Sequence, residues 1–155
     1  MRGEIRQIGG LTLILDCYNA NPQSLRAALD LLVDIEPART KVAVLGTMLE
    51  LGARSEELHM GLLDKASTLG LDLVVATGEF ALAAATSGSA ESGGPASTIL
   101  SVMDPLEAYE ELRGRLAGDE VLLLKASRGV ALERLIPLFE GDFGDSVTGS
   151  GEGAA

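Results

Sequence analysis

Apolar positions in this chain follow two alternating rhythms. Short runs that are apolar at nearly every position recur at Leu11–Leu15, Lys41–Leu45, Leu71–Ala76, Thr98–Val102 and Glu120–Leu124. Runs of that length without polar alternation suit strands buried on both faces. Between them, apolar residues fall three and four apart, the spacing of a helix with one face in a core. Leu25, Ala28, Leu29, Leu32 and Ile35 form the first such stripe, and Leu58, Leu62, Ala66 and Leu69 the second. Leu106, Tyr109, Leu112 and Leu116 form a later one.

Boundary residues sharpen these elements. Glu4–Ile8 reads as a further strand joined to Leu11–Leu15 through Gly9-Gly10, a pair that supplies the positive φ angles of a tight hairpin. Asn21-Pro22 and Asp104-Pro105 each combine a capping side chain with a proline suited to the first helical position. Pro37 stops the first helix by Glu36. Further helices are predicted over Glu56–Leu69, Glu79–Ala85 and Gly129–Phe139, with a Gly/Ser-rich loop over Thr86–Pro95. The expected fold is therefore α/β. A six-stranded, mostly parallel sheet with an antiparallel N-terminal strand is covered by helices on both faces, a three-layer Rossmann-like domain. The folded domain is expected over residues 1–140, and residues 141–155, Gly, Ser and acidic without periodicity, are read as a disordered tail.

In such sheets ligands bind beyond the carboxyl ends of the strands. Those ends carry Asp16–Asn21, Gly46–Gly52, Thr77–Glu79, Met103-Asp104 and Lys125–Arg128. Asp16 has two roles open: a carboxylate at a strand end accepts ribose hydroxyls, or it caps nearby N–H groups. Tyr18, Asn19 and Asn21 share its corner, with Asn21 also readable as a plain helix cap. Lys125, Ser127 and Arg128 place two cations and a hydroxyl before a predicted helix start, where an anion is favoured. The alternative is that the cations are solvated or paired with acidic neighbours. His59 is expected to be an exposed or structural residue rather than a general base, on a helix away from the strand ends. Glu50 either positions a partner or sits in a loop that merely packs.

Composition narrows the partners. With 155 residues the chain is the size of one domain, and 46% hydrophobic content with 3% aromatic implies an aliphatic core. A formal charge of −11 speaks against nucleic acid and anionic membranes as partners. One cysteine, Cys17, fits a reducing compartment, and no apolar run reaches the roughly 18–20 residues of a membrane span. A cytoplasmic location is the expectation. The chain contains no Gly-x-x-x-x-Gly-Lys-Ser/Thr loop, no Gly-x-Ser-x-Gly elbow and no Cys/His metal spacing.

Three segments together carry a family resemblance: Asp16-Cys17-Tyr18-Asn19-Ala20-Asn21-Pro22, Leu45-Gly46-Thr47-Met48-Leu49-Glu50-Leu51-Gly52, and Lys125-Ala126-Ser127-Arg128-Gly129 with Glu133. In this order they resemble the C-terminal domain of the Mur ligase family, over about Arg2 to Phe139. The Tyr-Asn-Ala-Asn-Pro segment is similar to the member that adds D-Ala-D-Ala to UDP-MurNAc-tripeptide.

The resemblance implies an ATP- and Mg²⁺-dependent ligase of peptidoglycan precursor synthesis, with this domain facing a central ATPase domain. It implies that Asp16 and Tyr18 contact the nucleotide, that Arg2 reaches the ATP phosphates, and that Asn19 and Asn21 face the closed cleft. Lys125, Ser127 and Arg128 would hold the incoming dipeptide. No catalytic residue and no metal ligand is expected within this chain. Thr47 departs from the family's usual Asp. The UDP-sugar and ATPase domains lie outside this sequence, so the chain alone is not expected to ligate. Two other readings stay open: a stand-alone module binding D-Ala-D-Ala or nucleotide, and the same domain of another Mur or folylpolyglutamate-type ligase.

Overall fold

The computed structural model describes residues 2–16, 20–36, 39–87 and 98–144. Its elements are β1 (Arg2–Ile8), β2 (Leu11–Asp16), α1 (Pro22–Asp34), β3 (Lys41–Leu45), α2 (Ser55–Ser67) and β4 (Leu73–Ala76). They continue with α3 (Glu79–Ser87), β5 (Thr98–Ser101), α4 (Pro105–Arg113), β6 (Val121–Lys125) and α5 (Ile136–Phe143). The six strands form one sheet in the order β1-β2-β6-β3-β4-β5. Only β1 is antiparallel to its neighbour, through the Gly9-Gly10 turn; the remaining pairs are parallel.

The continuous apolar runs are buried on both faces, as their pattern requires. Ala43, Leu45, Val74, Ala76 and Leu123 point to one face, where α1, α2 and α3 cover them with Leu25, Leu29, Leu32, Leu62, Leu63 and Phe80. Val42, Val44, Val75, Leu122 and Leu124 point to the other, against Tyr109 and Leu112 of α4 and Ile136 and Phe139 of α5. Two aliphatic cores sandwich the sheet, and the three-layer α/β/α expectation holds. Among the described residues no helix is long and apolar enough to cross a membrane.

Asn21 starts α1 as its pattern predicts. Its side chain accepts the Ser24 N–H at 2.8 Å, and the Ser24 hydroxyl returns a bond from the Asn21 N–H at 3.1 Å, a reciprocal cap.

Four expectations change. The last helix is not continuous from Gly129. Two 3₁₀ turns, Arg128–Val130 and Leu132–Leu135, flank Ala131 in the left-handed region at φ 60°, and α5 begins only at Ile136. Pro137 is the physical reason, since proline is tolerated in a helix's first turn but not its interior. Within α2 the buried stripe is His59, Leu62, Leu63 and Ala66, with Leu58 only half-buried. In α4 the buried residues are Ala108, Tyr109 and Leu112, while Leu106 in the first turn is exposed. Finally, α5 runs past residue 140 to Phe143, because Asp142 accepts the Tyr109 hydroxyl at 2.6 Å and pairs with Arg113 at 3.0 Å. Residues 145–155, the remainder of the predicted tail, lie outside the described residues, as does most of the Thr86–Pro95 loop.

Candidate functional site

Strand order brings the first residue of each of the three motifs to one place. β6 lies between β2 and β3, and Lys125 at its end is in register with Asp16 on one side and Leu45 on the other. Asp16, Lys125 and Leu45 therefore end their strands side by side at the sheet's carboxyl edge. That is where a parallel sheet of this kind receives ligands.

Asp16 and Lys125 are joined there. Lys125 Nζ lies 2.9 Å from Asp16 Oδ2, with the lysine side chain 1% exposed and the aspartate 20%. Lys125 is the last residue of β6 rather than part of the following loop, and β2 likewise extends to Asp16. The extended backbone of each strand points the two side chains to the same face, because their positions are paired. A buried ammonium requires a counter-charge, and Asp16 supplies it. Lys125 therefore faces a carboxylate of its own chain. The carboxylate is oriented from within and keeps a fifth of its surface in solvent.

A second network binds the β3–α2 segment to the end of β6. Ser127, buried, donates its backbone N–H to the Thr47 carbonyl at 3.0 Å, and its hydroxyl accepts the Leu49 N–H at 2.7 Å. Thr47 Oγ1 accepts the Glu79 N–H at 2.9 Å, satisfying a first-turn donor of α3. Gly78, at φ 58°, precedes that turn, and a Cβ there would run into Thr47 Oγ1. The hydroxyl at position 47 thus serves as an uncharged acceptor at a helix start, a place that also suits an aspartate.

His59 is fully buried and belongs to this network. Its Nδ1 lies 2.7 Å from the Ser55 carbonyl and its Nε2 accepts the Met48 N–H at 2.9 Å. A carbonyl can only accept, so the hydrogen-bond pattern assigns the proton to Nδ1 and leaves Nε2 as the acceptor. Phe80 meets the ring edge-on, with centroids 4.6 Å apart. Burial holds the imidazole pKa below its ordinary value, outweighing the Ser55 bond and the Glu79 charge that raise it. The expectation of a structural histidine holds, but not its distance from the strand ends: it anchors the segment that follows β3. The spacing contained the signal, since His59 lies three, four and seven residues before Leu62, Leu63 and Ala66 on one helix face.

The remaining predicted site residues are distributed as follows. Arg2 is in β1, paired with Asp16 across the hairpin. Tyr18 and Asn19 lie outside the described residues. Asn21 is exposed and engaged in the α1 cap. Arg128 is exposed on a 3₁₀ turn, so the helix N-terminus expected beside it is absent. Glu50 is exposed at φ 64°, an uncommon conformation for a residue with a Cβ. Glu133 has its Oε1 buried without a hydrogen-bond partner among the described residues.

A cavity of about 420 Å³ lies at the opposite edge, lined by Val33, Arg39, Lys41 and Asp72 among others. Its polar groups are already engaged: Lys41 Nζ donates to the Leu32 and Val33 carbonyls, and Asp72 accepts the Lys41 N–H. The convergent chemistry is at the carboxyl edge instead.

Residues 1–128, which run through Asp16, Gly46–Gly52 and Lys125–Arg128, match the family model described as "Mur ligase, glutamate ligase domain". The chain belongs to the Mur ligase family. A curated relative, the UDP-N-acetylmuramoyl-tripeptide–D-alanyl-D-alanine ligase of Treponema pallidum (strain Nichols), is 41% identical over 130 residues, covering 83% of this chain and 27% of that protein. The enzyme of the same name from Escherichia coli (strain K12) is 32% identical over 125 residues, with 80% and 26% covered. Among solved structures, MurF from Acinetobacter baumannii superposes with a TM-score of 0.77 at 30% identity, covering 90% of this chain and 30% of that one. MurF ligase from Thermotoga maritima, solved in complex with ADP, gives 0.71 at 28%, covering 92% and 31%. The Mur ligase domain described here is thus of the MurF C-terminal type, and it spans a little over a quarter of its curated relatives.

Proposed function

We propose that this domain serves an ATP-driven ligase that joins D-Ala-D-Ala to UDP-MurNAc-tripeptide, in cytoplasmic synthesis of the peptidoglycan precursor. In that reaction ATP phosphorylates the tripeptide carboxylate, releasing ADP. The amine of D-Ala-D-Ala then attacks the acyl carbon, the amide forms, and phosphate leaves. Phosphate and Mg²⁺ binding belong to the ATPase domain in this reading; among the described residues no group of three or more His, Cys, Asp or Glu is gathered to hold a metal.

The observation that carries the reading is the Asp16 carboxylate at the sheet's carboxyl edge, one oxygen held by buried Lys125 and the group still open to solvent. An ionised acceptor held in place by an internal cation is suited to the hydroxyls of a ribose. Tyr18 and Arg2 are proposed beside it on the nucleotide. On the dipeptide side, Asn19 and Asn21 would line the cleft, Ser127 offers its hydroxyl proton and exposed Arg128 a charge for the terminal carboxylate. Lys125, buried against Asp16, is proposed to serve the dipeptide only indirectly, through the carboxylate it orients.

The reading is tested by phosphate release from ATP, UDP-MurNAc-tripeptide and D-Ala-D-Ala, with this chain alone and with a MurF ATPase domain supplied. Activity is expected only in the mixture, and calorimetry on the chain alone should show at most weak ATP binding. Tight ATP binding by the isolated chain, or no gain in the mixture, would refute it.

A further inference from the structure

Two adjacent backbone N–H groups in the β3–α2 segment are each taken by a side chain, and those side chains arrive from different elements. Met48 donates to His59 Nε2 of α2 at 2.9 Å, and Leu49 donates to Ser127 Oγ beyond β6 at 2.7 Å. The Ser127 N–H closes the ring of bonds by donating to the Thr47 carbonyl at 3.0 Å. Peptide planes are rigid, so fixing one amide limits where the next can point.

We propose that His59 is a positioning residue for the candidate site: by accepting the Met48 N–H it holds the Leu49 amide against Ser127, and so sets the direction of the Ser127 hydroxyl. That hydroxyl accepts from Leu49 and has its own proton to donate towards a ligand at the carboxyl edge. A donor aimed there suits a carboxylate, the terminal group of the dipeptide in the reading above, on which this inference rests.

Several features argue against a merely space-filling ring. Both nitrogens are used in one defined tautomer: Nε2 meets a backbone N–H, and Nδ1 meets the backbone carbonyl four residues earlier on the same helix, with the Ser55 hydroxyl 3.3 Å away. Phe80 of α3 fixes the ring plane from the side. The ring is fully buried, so it cannot itself reach a substrate and must act through Met48. The charged group that faces it is Glu79 of α3, whose own N–H is bonded to Thr47 in the same segment. A protonated ring has no lone pair at Nε2, so the Met48 bond exists only in the neutral form.

His59 is the only histidine in the chain, so its ring nitrogens give one unambiguous set of NMR signals. The unsubstituted 155-residue chain is expected to show the Nδ1–H tautomer at neutral pH and to titrate below the ordinary histidine value. The Met48 and Leu49 amide signals should shift with the same midpoint. An Nε2–H tautomer, or Met48 and Leu49 amides indifferent to the titration, would overturn the proposal without any variant having to fold.

The functional arm uses the chain with the ATPase domain supplied. His59→Phe removes the acceptor; His59→Gln keeps an amide oxygen near the Nε2 position. His59→Phe should raise KM for D-Ala-D-Ala about tenfold, the scale of one polar contact, with KM for ATP unchanged and His59→Gln restoring most of the loss. Equal losses for both substrates, unrescued by Gln, would mark His59 as structural only. If the unsubstituted mixture does not ligate, the functional reading fails, and the tautomer and titration decide the positioning on their own.

Discussion

Asp16 and Lys125 sit in register on neighbouring parallel strands and form a 2.9 Å ion pair in which the cation, not the anion, is the buried partner. The asymmetry decides what each substitution should do. Lys125→Met leaves a carboxylate that still reaches water. Asp16→Asn takes the counter-charge from an ammonium with 1% exposure. Losing one partner of a fully buried pair costs about 3–5 kcal/mol. Asp16→Asn should approach that range, and Lys125→Met should fall below it at about 1–3 kcal/mol, since Asp16 remains hydrated. Urea unfolding of both variants and the double variant checks the order. A cost for Asp16→Asn no larger than for Lys125→Met would show that the buried charge does not depend on Asp16. Asp16 is therefore expected to matter for folding as well as for nucleotide.

Thr47 tests the helix-start role. Thr47→Val keeps the shape but removes the acceptor for the Glu79 N–H, and should destabilise by about 1 kcal/mol, the usual scale of an N-terminal cap. Thr47→Asp restores an acceptor and adds a charge that the start of α3 favours, so it should be at least 0.5 kcal/mol or so more stable than Thr47→Val. Thermal melts of the two variants compare them directly. Equal stabilities would remove the capping account.

Arg39 stitches three separate turns. Its guanidinium donates to the Gly10 carbonyl at 2.8 Å, the Asp119 carbonyl at 2.7 Å and the Thr12 hydroxyl at 2.9 Å, and it reaches the Glu120 carbonyl at 3.1 Å. A lysine offers one compact charge rather than a planar fork, so Arg39→Lys should recover little of what Arg39→Ala loses, about 2–4 kcal/mol for several charged hydrogen bonds that act together. Chemical denaturation midpoints give the comparison. Full rescue by lysine would mean that charge alone matters there.

Asp142 should make the α4–α5 contact acid-sensitive. The Tyr109 hydroxyl, and then Arg113, hold its carboxyl below the usual carboxylate value, with partial desolvation opposing them. A carboxylate depressed in the folded state binds its proton more readily when unfolded, so its stabilisation is complete above the unfolded value of about 4. It is lost as pH falls through the lower folded value. Asp142→Asn should therefore be less stable than the parent at pH 7, with the gap closing in strong acid. Parallel melts from pH 7 to 2 check the sign; a gap that widens on acidification would contradict it.

Much of the architecture was legible from residue order, and for a local reason. A strand covered on both faces must be apolar at consecutive positions, so Val42–Leu45 and Val121–Leu124 announced a parallel sheet. Asn21-Pro22 set the start of α1 through neighbours within three residues. Pro137 carries the same kind of information about α5, whose start at Ile136 places the proline in the first turn, where its missing N–H costs nothing.

What sequence alone determined, then, was the set of elements, the three-layer fold and the edge at which polar residues collect, because periodicity and capping depend on near neighbours. Tertiary structure decided the partners. Lys125 meets Asp16 only because β6 is inserted between β2 and β3, and that strand order pairs the buried cation of one motif with the carboxylate of another. His59 meets Met48, and Ser127 meets Leu49, only where α2 and β6 converge on one segment. Residue types give charge and hydrogen-bonding capacity, but which groups satisfy one another depends on strand order and burial, and these arise only when the whole chain has folded.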